Sequence, residues 1–271
     1  MTYHRSRMLG QHFLKNKEKL RKIAASLEVK KNDTIVEIGP GHGELTKKLV
    51  TRQQTLNTRI IAIEKDSGLA ETLRNSMEIY GDSIEIIHGD ALKILPEITN
   101  KLTKLKAESY KLVGNIPYYI TGKLLRTLSE LETKPKIAVL TVQKEVAERV
   151  AAKPPKMNLL AASVQIWAEP EIIDYILKKD FQPPPKVNSA IIKLETRQQT
   201  LVTRSDDYYR LIKILFKQPR KTILNNLGAL KSKKEILPIL GKLGINPSNR
   251  PQDLSLKKIE ELSEVISNQE V

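Results

Sequence analysis

The sequence predicts an α/β fold: a mostly parallel sheet with helices on both faces, followed by a small all-helical region. Through the first two thirds of the chain, short apolar runs alternate with segments whose apolar residues recur at helical spacing. Such alternation is typical of parallel strands joined by crossover helices. From about residue 196 onward only helical patterns remain. We therefore expect one domain over residues 1–195 and a second over residues 196–271.

Three early segments illustrate the two patterns. Between residues 17 and 27, apolar side chains recur every three or four positions, which places them on one face of a helix. Residues 34–38 and 59–64 are continuous runs rich in isoleucine, as expected of strands that are buried on both faces. The same criteria predict further helices of the first domain at 43–50, 66–80, 121–131, 144–152 and 158–167.

The remaining strands complete the sheet. Apolar runs predict them at 83–88, 111–114, 136–142, 171–178 and 189–195. The last two are separated by a proline-rich segment at 181–186 and are expected to form an antiparallel edge. In the second domain, helical spacing predicts helices at 208–217, 222–227, 233–243 and 255–267.

Composition excludes several classes of protein. The 271 residues include no cysteine, which excludes disulfides, thiolate zinc sites and cysteine nucleophiles, and the four histidines are scattered. No apolar run approaches the ~18 residues needed to span a bilayer. The first seven residues lack the apolar core of a signal peptide. We therefore expect a cytoplasmic protein with no metal site and no membrane association.

The charge balance predicts a polyanionic partner. Lysine and arginine number 46 against 31 acids, a net charge of +15. Eight of these cations and no acid lie between residues 210 and 234, which is a plausible surface for contacting phosphates. Nucleic acid is favoured over membrane because no amphipathic anchor stands out. The alternative interpretation is a lysine-rich solvated surface.

A glycine-rich segment links the first buried strand to a helix. In Glu37-Ile38-Gly39-Pro40-Gly41-His42-Gly43, glycines at alternate positions let the backbone approach a ligand closely before the helix begins. The spacing differs from the G-x-G-x-x-G of dinucleotide sites, and no P-loop follows. On this pattern alone, a tight turn between strand and helix is an adequate alternative.

Two acids end the next two strands. Glu64 lies about 20 residues beyond the glycine segment, which suits hydrogen bonding to ribose hydroxyls. Asp90 follows the third strand and suits an adenine amino group as an acceptor. Taken singly, each acid is equally well explained as a helix N-terminal residue. Together with Gly39 they predict an adenosine-like ligand at the carboxyl ends of the strands.

The segment Asn115-Ile116-Pro117-Tyr118 follows another short strand and suits work on an exocyclic amine. An asparagine carbonyl accepts a hydrogen bond from an NH2 group. The residue before a proline is extended, which aims its carbonyl outward. Tyr118 offers a flat face on which a base can stack. The alternative is a turn after a strand, with Tyr118 in the core.

These segments together resemble a known family, the ribosomal RNA adenine N6,N6-dimethyltransferases. Its motifs match residues 37–43, 63–66, 89–91 and 115–118, and further signatures match residues 10–14, 143–149 and 181–189. The resemblance covers roughly residues 5–230. It implies a Rossmann-like class I methyltransferase sheet, S-adenosyl-L-methionine as cofactor, and methyl transfer to an adenine flipped out of its stack.

The C-terminal part distinguishes two branches of this family. The segment 216–227 resembles the signature of the enzyme that dimethylates two adjacent adenosines near the 3′ end of small-subunit (16S) rRNA. The implied partner is small-subunit rRNA in an immature small ribosomal subunit, and the protein is expected to be a monomer. Three alternatives remain: a macrolide-resistance methylase of one large-subunit rRNA adenosine, a non-catalytic ribosome-assembly factor, and a dinucleotide-dependent oxidoreductase.

The resemblance also implies roles for individual residues. The residues expected to hold the target adenine are Asn115, Pro117, Tyr118 and Phe181. Those expected to contact the cofactor are His12, Leu14, Gly39, Gly41, Glu64, Lys65, Asp90, Ala91 and Asn115. Those expected to contact RNA are Lys217, Arg220 and Lys221. Phe181 has the alternative role of an apolar plug beside the prolines, and His12 stands where the family commonly has asparagine.

Overall fold

The computed structural model describes residues 11–104, 110–198 and 205–268. The chain folds into two compact units, Met1–Ala147 with Glu171–Thr196, and Glu148–Pro170 with Arg197–Val271. The domain boundary predicted at residue 195 lies next to one of the points where the chain passes from the first unit to the second, after Thr196. Residues 148–170, which we expected in the first domain, instead join the C-terminal helices in the second unit.

Nine strands are present in the described part of the chain. They are β1 (Phe13–Leu14), β2 (Thr34–Ile38), β3 (Arg59–Glu64), β4 (Ile84–His88), β5 (Tyr110–Asn115), β6 (Ile137–Gln143), β7 (Ala168–Ile176), β8 (Phe181–Gln182) and β9 (Ser189–Thr196). Seven of them form one sheet in the order β4-β3-β2-β5-β6-β9-β7, and β1 pairs separately with β8.

The strand directions confirm the predicted mostly parallel sheet with an antiparallel edge. Strands β2 to β6 are parallel wherever they pair with one another. Strand β9 is antiparallel to β6, with Gln143 opposite Ser189. Because the sheet is covered by helices on both faces, β2, β5 and β6 are almost fully buried, which explains their continuous apolar sequences.

The helices of the first unit are α1 (Lys17–Ser26), α2 (Glu44–Leu56), α3 (Ser67–Met77), α4 (Ala91–Lys104) and α5 (Thr121–Glu130). Asn16 and Asp66 cap α1 and α3 by accepting hydrogen bonds from backbone amides of the first turn. Two predictions were wrong. Helix α2 continues past Val50, and α4 was missed because Pro96, which normally interrupts a helix, lies inside it.

The second unit is helical, as the sequence predicts. Its helices are the end of α6 (Lys144–Val150), then α7 (Leu159–Gln165), α8 (Ser205–Leu215), α9 (Ile223–Leu227), α10 (Lys233–Lys242) and α11 (Leu256–Ser267). The fully buried Tyr208 ties α8 to α7 by donating its hydroxyl hydrogen to the Ala162 carbonyl, at 3.0 Å. Within the described residues, none of the helices has the length and apolar character needed to cross a bilayer.

Candidate active site

One cleft in the first unit collects most of the predicted site residues. It lies where β2, β3, β4 and β5 end, and about 810 Å³ of space lies within it when its open mouth is included. The predicted residues that line it are His12, Gly39, Gly41, Glu64, Lys65, Asp90, Ala91, Asn115, Pro117, Tyr118 and Phe181. The topology therefore joins residues that are far apart in the sequence.

The glycine segment forms the floor between β2 and α2. Gly39, Gly41 and Gly43 all have positive φ angles, between +58° and +79°, where side chains are strained. The Gly39 amide donates to the Ile63 carbonyl at 2.9 Å, which fixes the loop to the neighbouring strand β3. A Cβ atom on Gly41 would lie 2.8 Å from the Phe13 ring. The close approach of the N-terminal segment thus requires glycine at this position.

Glu64 holds two loops at once. Its side chain is 3% exposed, and its carboxylate accepts from the Gly41 amide at 3.0 Å and from the Asp66 amide at 2.9 Å. Burial raises the pKa of Glu64, and these backbone hydrogen bonds partly offset that rise. Asp66, rather than Glu64, caps helix α3. The alternative interpretation of Glu64, a helix N-terminal acid, therefore applies to Asp66 instead.

Asp90 and Lys65 form an ion pair beside the cleft, with 3.0 Å between Lys65 Nζ and Asp90 Oδ2. Burial alone would raise the pKa of Asp90, but the hydrogen bond from Lys65 and the Leu92 amide lower it overall. The Leu92 amide donates to Asp90 Oδ1 at 3.1 Å at the start of α4. Asp90 therefore lines the cleft and also accepts a hydrogen bond from the first turn of α4, whereas its contact with an adenine amino group stays a prediction.

Asn115 has its side chain oriented by the N-terminal segment. Its Nδ2 donates to the His12 backbone carbonyl at 2.7 Å. Because a carbonyl can only accept, this contact determines which end of the amide carries oxygen. The Oδ1 acceptor is thereby directed away from His12. The His12 ring in turn lies 2.8 Å, Nδ1 to oxygen, from the Pro183 carbonyl in the loop that follows Phe181.

Tyr118 is half-buried and is held by a residue of the antiparallel strand β9. Its hydroxyl makes a 2.8 Å hydrogen bond with the hydroxyl of Ser189, which is fully buried. Burial raises the pKa of Tyr118, so the phenol is protonated at neutral pH. The ring therefore has a defined position beside the cleft. Sequence reasoning did not assign Ser189 a role, because only the strand pairing brings it to Tyr118.

The N-terminal segment spans the cleft as a strap, which we define as residues 11–16. Within it, β1 pairs antiparallel with β8, so that Leu14 lies opposite Phe181. The strap is held further by Asn16, whose Nδ2 donates to Asp180 Oδ1 at 3.0 Å. Alternation along β1 places Phe13 in the cleft lining, whereas Leu14 packs in the core. Leu14 is therefore the one predicted cofactor contact that does not line the cleft.

Several lining residues were missed by sequence reasoning. Tyr119, which is 57% exposed, lines the mouth with Ile120, and Gln11 and Phe13 line the strap side. Tyr119 directly follows the Asn115–Tyr118 motif, so a second aromatic residue at that point was an available signal. Gln11 and Phe13 lie within the 10–14 signature, but from that segment only His12 and Leu14 were assigned to the cofactor.

Glu37 lies next to the glycine segment but does not line the cleft. It is buried within β2, and its Oε2 has no hydrogen-bond partner among the described residues. Burial raises the pKa of Glu37 to about 8. This carboxyl group is therefore largely protonated at neutral pH.

The predicted RNA contacts lie in the second unit, between α8 and α9. Lys217, Arg220 and Lys221 are all exposed there. The loop that carries them is shaped by Asn226, whose Nδ2 donates to the carbonyls of Gln218, Lys221 and Thr222 at 3.1–3.3 Å. Asn226 is 5% exposed. It is a buried organiser of the basic loop that sequence reasoning did not identify.

Comparison with known proteins assigns the chain to a family. The family model for ribosomal RNA adenine dimethylase matches residues 3–268. The chain belongs to the ribosomal RNA adenine dimethylase family. The similar proteins include a "Ribosomal RNA small subunit methyltransferase A" from Dehalococcoides mccartyi. It is 38% identical over 255 residues, which is 92% of this chain and 84% of the relative.

Solved structures support the same family and fold. A dimethyladenosine transferase from Plasmodium falciparum superposes with a TM-score of 0.80 at 27% identity, covering 96% of this chain and 99% of the other. The 23S rRNA methyltransferase ErmE superposes with a TM-score of 0.73 at 23% identity, covering 94% and 99%. The second likeness establishes the shared fold only. The class I methyltransferase fold predicted from the sequence is confirmed.

Proposed function

We propose that this protein uses S-adenosyl-L-methionine to dimethylate N6 of two adjacent adenosines near the 3′ end of 16S rRNA, during small-subunit biogenesis. The observation that carries the proposal is one cleft in a dimethylase-family chain with two different walls. One wall presents Glu64 and Asp90, and the other presents Asn115 and Tyr118. The relatives named for the small subunit support the 16S branch.

The first wall, which we call the cofactor wall, comprises Gly39, Gly41, Glu64, Lys65, Asp90 and Ala91, and its chemistry fits this cofactor. Glu64 supplies a buried carboxylate for ribose hydroxyls, because each carboxylate oxygen retains acceptor capacity beside its backbone hydrogen bond. Asp90 supplies an acceptor for an adenine amino group. Isoleucines 38 and 63 line the same wall and suit the faces of a purine. When bound, the cofactor supplies an electrophilic methyl group.

The second wall, which we call the target wall, comprises His12, Asn115, Ile116, Pro117, Tyr118 and Phe181 and holds the base. We assign Asn115 Oδ1 to accept one N6 hydrogen, because its Nδ2 already donates to His12. The Pro117 carbonyl accepts from the Ile120 amide at 3.0 Å, so it faces the turn. We therefore assign the second N6 hydrogen to the carbonyl of Ile116, whose position before proline favours an extended backbone.

These contacts account for catalysis mainly by positioning. Two acceptors on the N6 hydrogens orient the nitrogen lone pair toward the methyl group, while the Tyr118 ring stacks on one face of the base and Phe181 borders the other. The nitrogen loses a proton as it gains the methyl group, so no strongly basic side chain is required. The second transfer requires the methylated base to rebind in the same cleft.

The second unit is proposed to contact the RNA backbone. Lys217, Arg220 and Lys221 protrude from the loop that Asn226 organises, and each can neutralise a phosphate. We propose small-subunit rRNA in an immature particle as the partner, and a monomeric, cytoplasmic enzyme. Replacing the three cations with alanine is expected to lower the slope of log affinity against log salt by about 2. An unchanged slope would show that these three cations are exposed to solvent and do not contact the RNA.

The direct test is incubation of the purified protein with labelled S-adenosyl-L-methionine and separated ribosomal subunits from a strain lacking this methylation. Digestion of the RNA then identifies the modified nucleoside. Dimethyladenosine in small-subunit rRNA is expected. Label confined to large-subunit rRNA would move the protein to the resistance branch. Cofactor binding without any label would favour a non-catalytic assembly factor.

A further inference from the structure

A surface of the first unit beside the cleft combines exposed lysines with exposed apolar side chains. We call it the 175–187 surface. It consists of Lys144, Tyr175, Leu177, Lys178, Lys179, Lys186 and Val187, all of which are exposed. Tyr175, Leu177 and Val187 are 42%, 46% and 45% exposed and are three of the seven large apolar residues that stand out as exposed in the described part of the chain. These three apolar side chains therefore share one surface with four exposed lysines.

Backbone contacts hold this surface together. Asn188 connects three of its segments: its carbonyl accepts from the Lys144 amide at 3.0 Å, and its Oδ1 accepts from the Lys178 amide at 3.1 Å. Lys144 Nζ lies 5.2 Å from the centre of the Tyr175 ring, within cation–π range. The residues therefore form one ordered surface even though they come from three separate stretches of sequence.

The surface continues the edge on which the cleft opens. Lys144 directly follows the end of β6, and Val187 lies two residues before β9. Since β6 and β5 are parallel, the end of β6 lies on the same edge as Asn115. The turn that carries Lys178 and Lys179 leads directly into Phe181, which lines the cleft. A polymer whose target unit enters the cleft would thus pass next to this surface.

The charges favour an anionic polymer over an apolar partner. Of the acids close in sequence, Asp174 forms ion pairs with Lys19 and Lys22, whereas Asp180 accepts hydrogen bonds from the neutral Asn16 side chain and the Leu177 amide and gains no cationic partner from them. Glu145 is exposed beside Lys144 and is outnumbered by the four lysines. Lysines interleaved with an exposed tyrosine are typical of surfaces that track a nucleic-acid strand and stack its bases.

We propose that the 175–187 surface binds the RNA strand adjoining the adenosine that enters the cleft, with its lysines on phosphates and Tyr175 under a neighbouring base. The proposal deepens the proposed function and rests on it for the identity of the RNA. It assigns the first unit its own RNA contact, in addition to the basic loop of the second unit. This contact would hold the flanking strand in place while the target base is out of the stack.

The charged part is tested with the triple variant Lys178→Ala, Lys179→Ala and Lys186→Ala. The matched control replaces Lys30, Lys31 and Lys136, which are also exposed but lie where β2 and β6 begin, at the opposite edge of the sheet. Affinity for a fragment of small-subunit rRNA containing the target adenosines is measured from 50 to 300 mM salt. We expect the test variant to lower the log–log slope by about 2 and the control to leave it within about 0.5.

The stacking part is tested with Tyr175→Leu, which keeps apolar bulk but loses the aromatic face. We expect about a tenfold loss of affinity at every salt concentration with an unchanged slope, because stacking does not release counterions. Tyr175→Phe is expected to bind like the wild type. Melting temperature and cofactor affinity are measured for each variant, so that a folding defect is recognised directly.

Three results would overturn the proposal. If the test and control triple variants have equal log–log slopes, the lysines of the 175–187 surface do not contact RNA. A loss confined to assembled subunits, with naked RNA bound normally, would assign the surface to a ribosomal protein. A loss of binding to anionic lipid vesicles without a loss of RNA binding would assign it to a membrane. Failure of the wild type to methylate small-subunit RNA would instead refute the proposed function, and it would leave the RNA-binding result interpretable.

Discussion

The two walls of the cleft are built in different ways. On the cofactor wall, Glu64 accepts amide hydrogens from Gly41 and Asp66, within the same pair of adjacent β–α units. On the target wall, Asn115 and Tyr118 are held by residues 103 and 71 positions away in the sequence, His12 and Ser189. The first wall therefore depends on local β–α geometry, and the second on long-range contacts.

This difference predicts which changes affect which wall. Disturbing the strap or β9 is expected to misplace the target base while the cofactor still binds. Disturbing a carboxylate on the cofactor wall is expected to do the reverse. The expected loss of methyl transfer decreases from Asn115 to Glu64, Ser189 and Glu37.

The largest effect is expected from Asn115→Ala. It removes an acceptor for an N6 hydrogen, and a well-placed polar group of this kind is typically worth about 100-fold or more in rate. Single-turnover transfer should therefore fall by at least that factor, while calorimetry should show cofactor affinity within a few fold of the wild type. A variant that retains more than about a tenth of the rate would refute the role assigned to Asn115.

The next effect is expected from Glu64→Ala. Loss of the buried carboxylate removes ribose acceptors and also frees the Gly41 and Asp66 amides, so cofactor affinity should fall by about 10- to 100-fold. The rate at saturating cofactor should recover to within a few fold of the wild type. Glu44→Ala is the matched control, because Glu44 is an acid that pairs with Lys15 and does not line the cleft. An unchanged cofactor affinity in Glu64→Ala would contradict the proposal that Glu64 binds the ribose hydroxyls.

The same division explains what the sequence could predict. The residues of the cofactor wall lie at or just after the end of a strand, so strand periodicity and parallel topology were enough to bring Gly39, Glu64 and Asp90 to one edge. Ser189 could not be paired with Tyr118 in this way, because their contact depends on the insertion of β9 between β6 and β7. Helix α4 was missed for a different reason, since Pro96 masks a helical pattern that the surrounding structure tolerates.

A moderate effect is expected from Ser189→Ala, since we infer that Ser189 positions the Tyr118 ring. A neutral hydrogen bond is worth about 0.5–1.5 kcal/mol, which corresponds to about a two- to twelvefold loss of transfer. If Ser189 acts through Tyr118, the same substitution should have little effect in a Tyr118→Phe background. The ratio of dimethyl- to monomethyladenosine should also fall, because the bulkier methylated base requires a well-placed ring.

The control for that prediction is thermal stability. A purely structural role for Ser189 would lower the melting temperature, leave the product ratio unchanged, and give additive effects in the double variant. Those three results together would contradict the positioning role. Non-additive rates with an unchanged ratio of dimethyl- to monomethyladenosine would also contradict the positioning role of Ser189. That result would mean that the second methylation tolerates a displaced Tyr118 ring.

The smallest effect on transfer is expected at Glu37, which lies behind the cofactor wall and should act mainly on stability. Its pKa is about 8 when folded, against an ordinary value of 4.5, so the folded state binds a proton more tightly than the unfolded state between those values. Folding stability therefore falls as pH rises through this window, by up to about 1.4 kcal/mol per pH unit. Below about pH 4.5 both states are protonated and this contribution is level.

Glu37→Gln keeps the shape of the side chain and removes the titration. We expect its free energy of unfolding, measured by denaturant at pH 5, 6, 7 and 8, to fall less with pH than that of the wild type. The gap between the two proteins should widen toward pH 8. Cofactor affinity should change less than in Glu64→Ala, because Glu37 does not line the cleft. Parallel stability curves would show that Glu37 is ionised in the fold, and a Glu64-like loss of affinity would place it functionally in the cofactor wall.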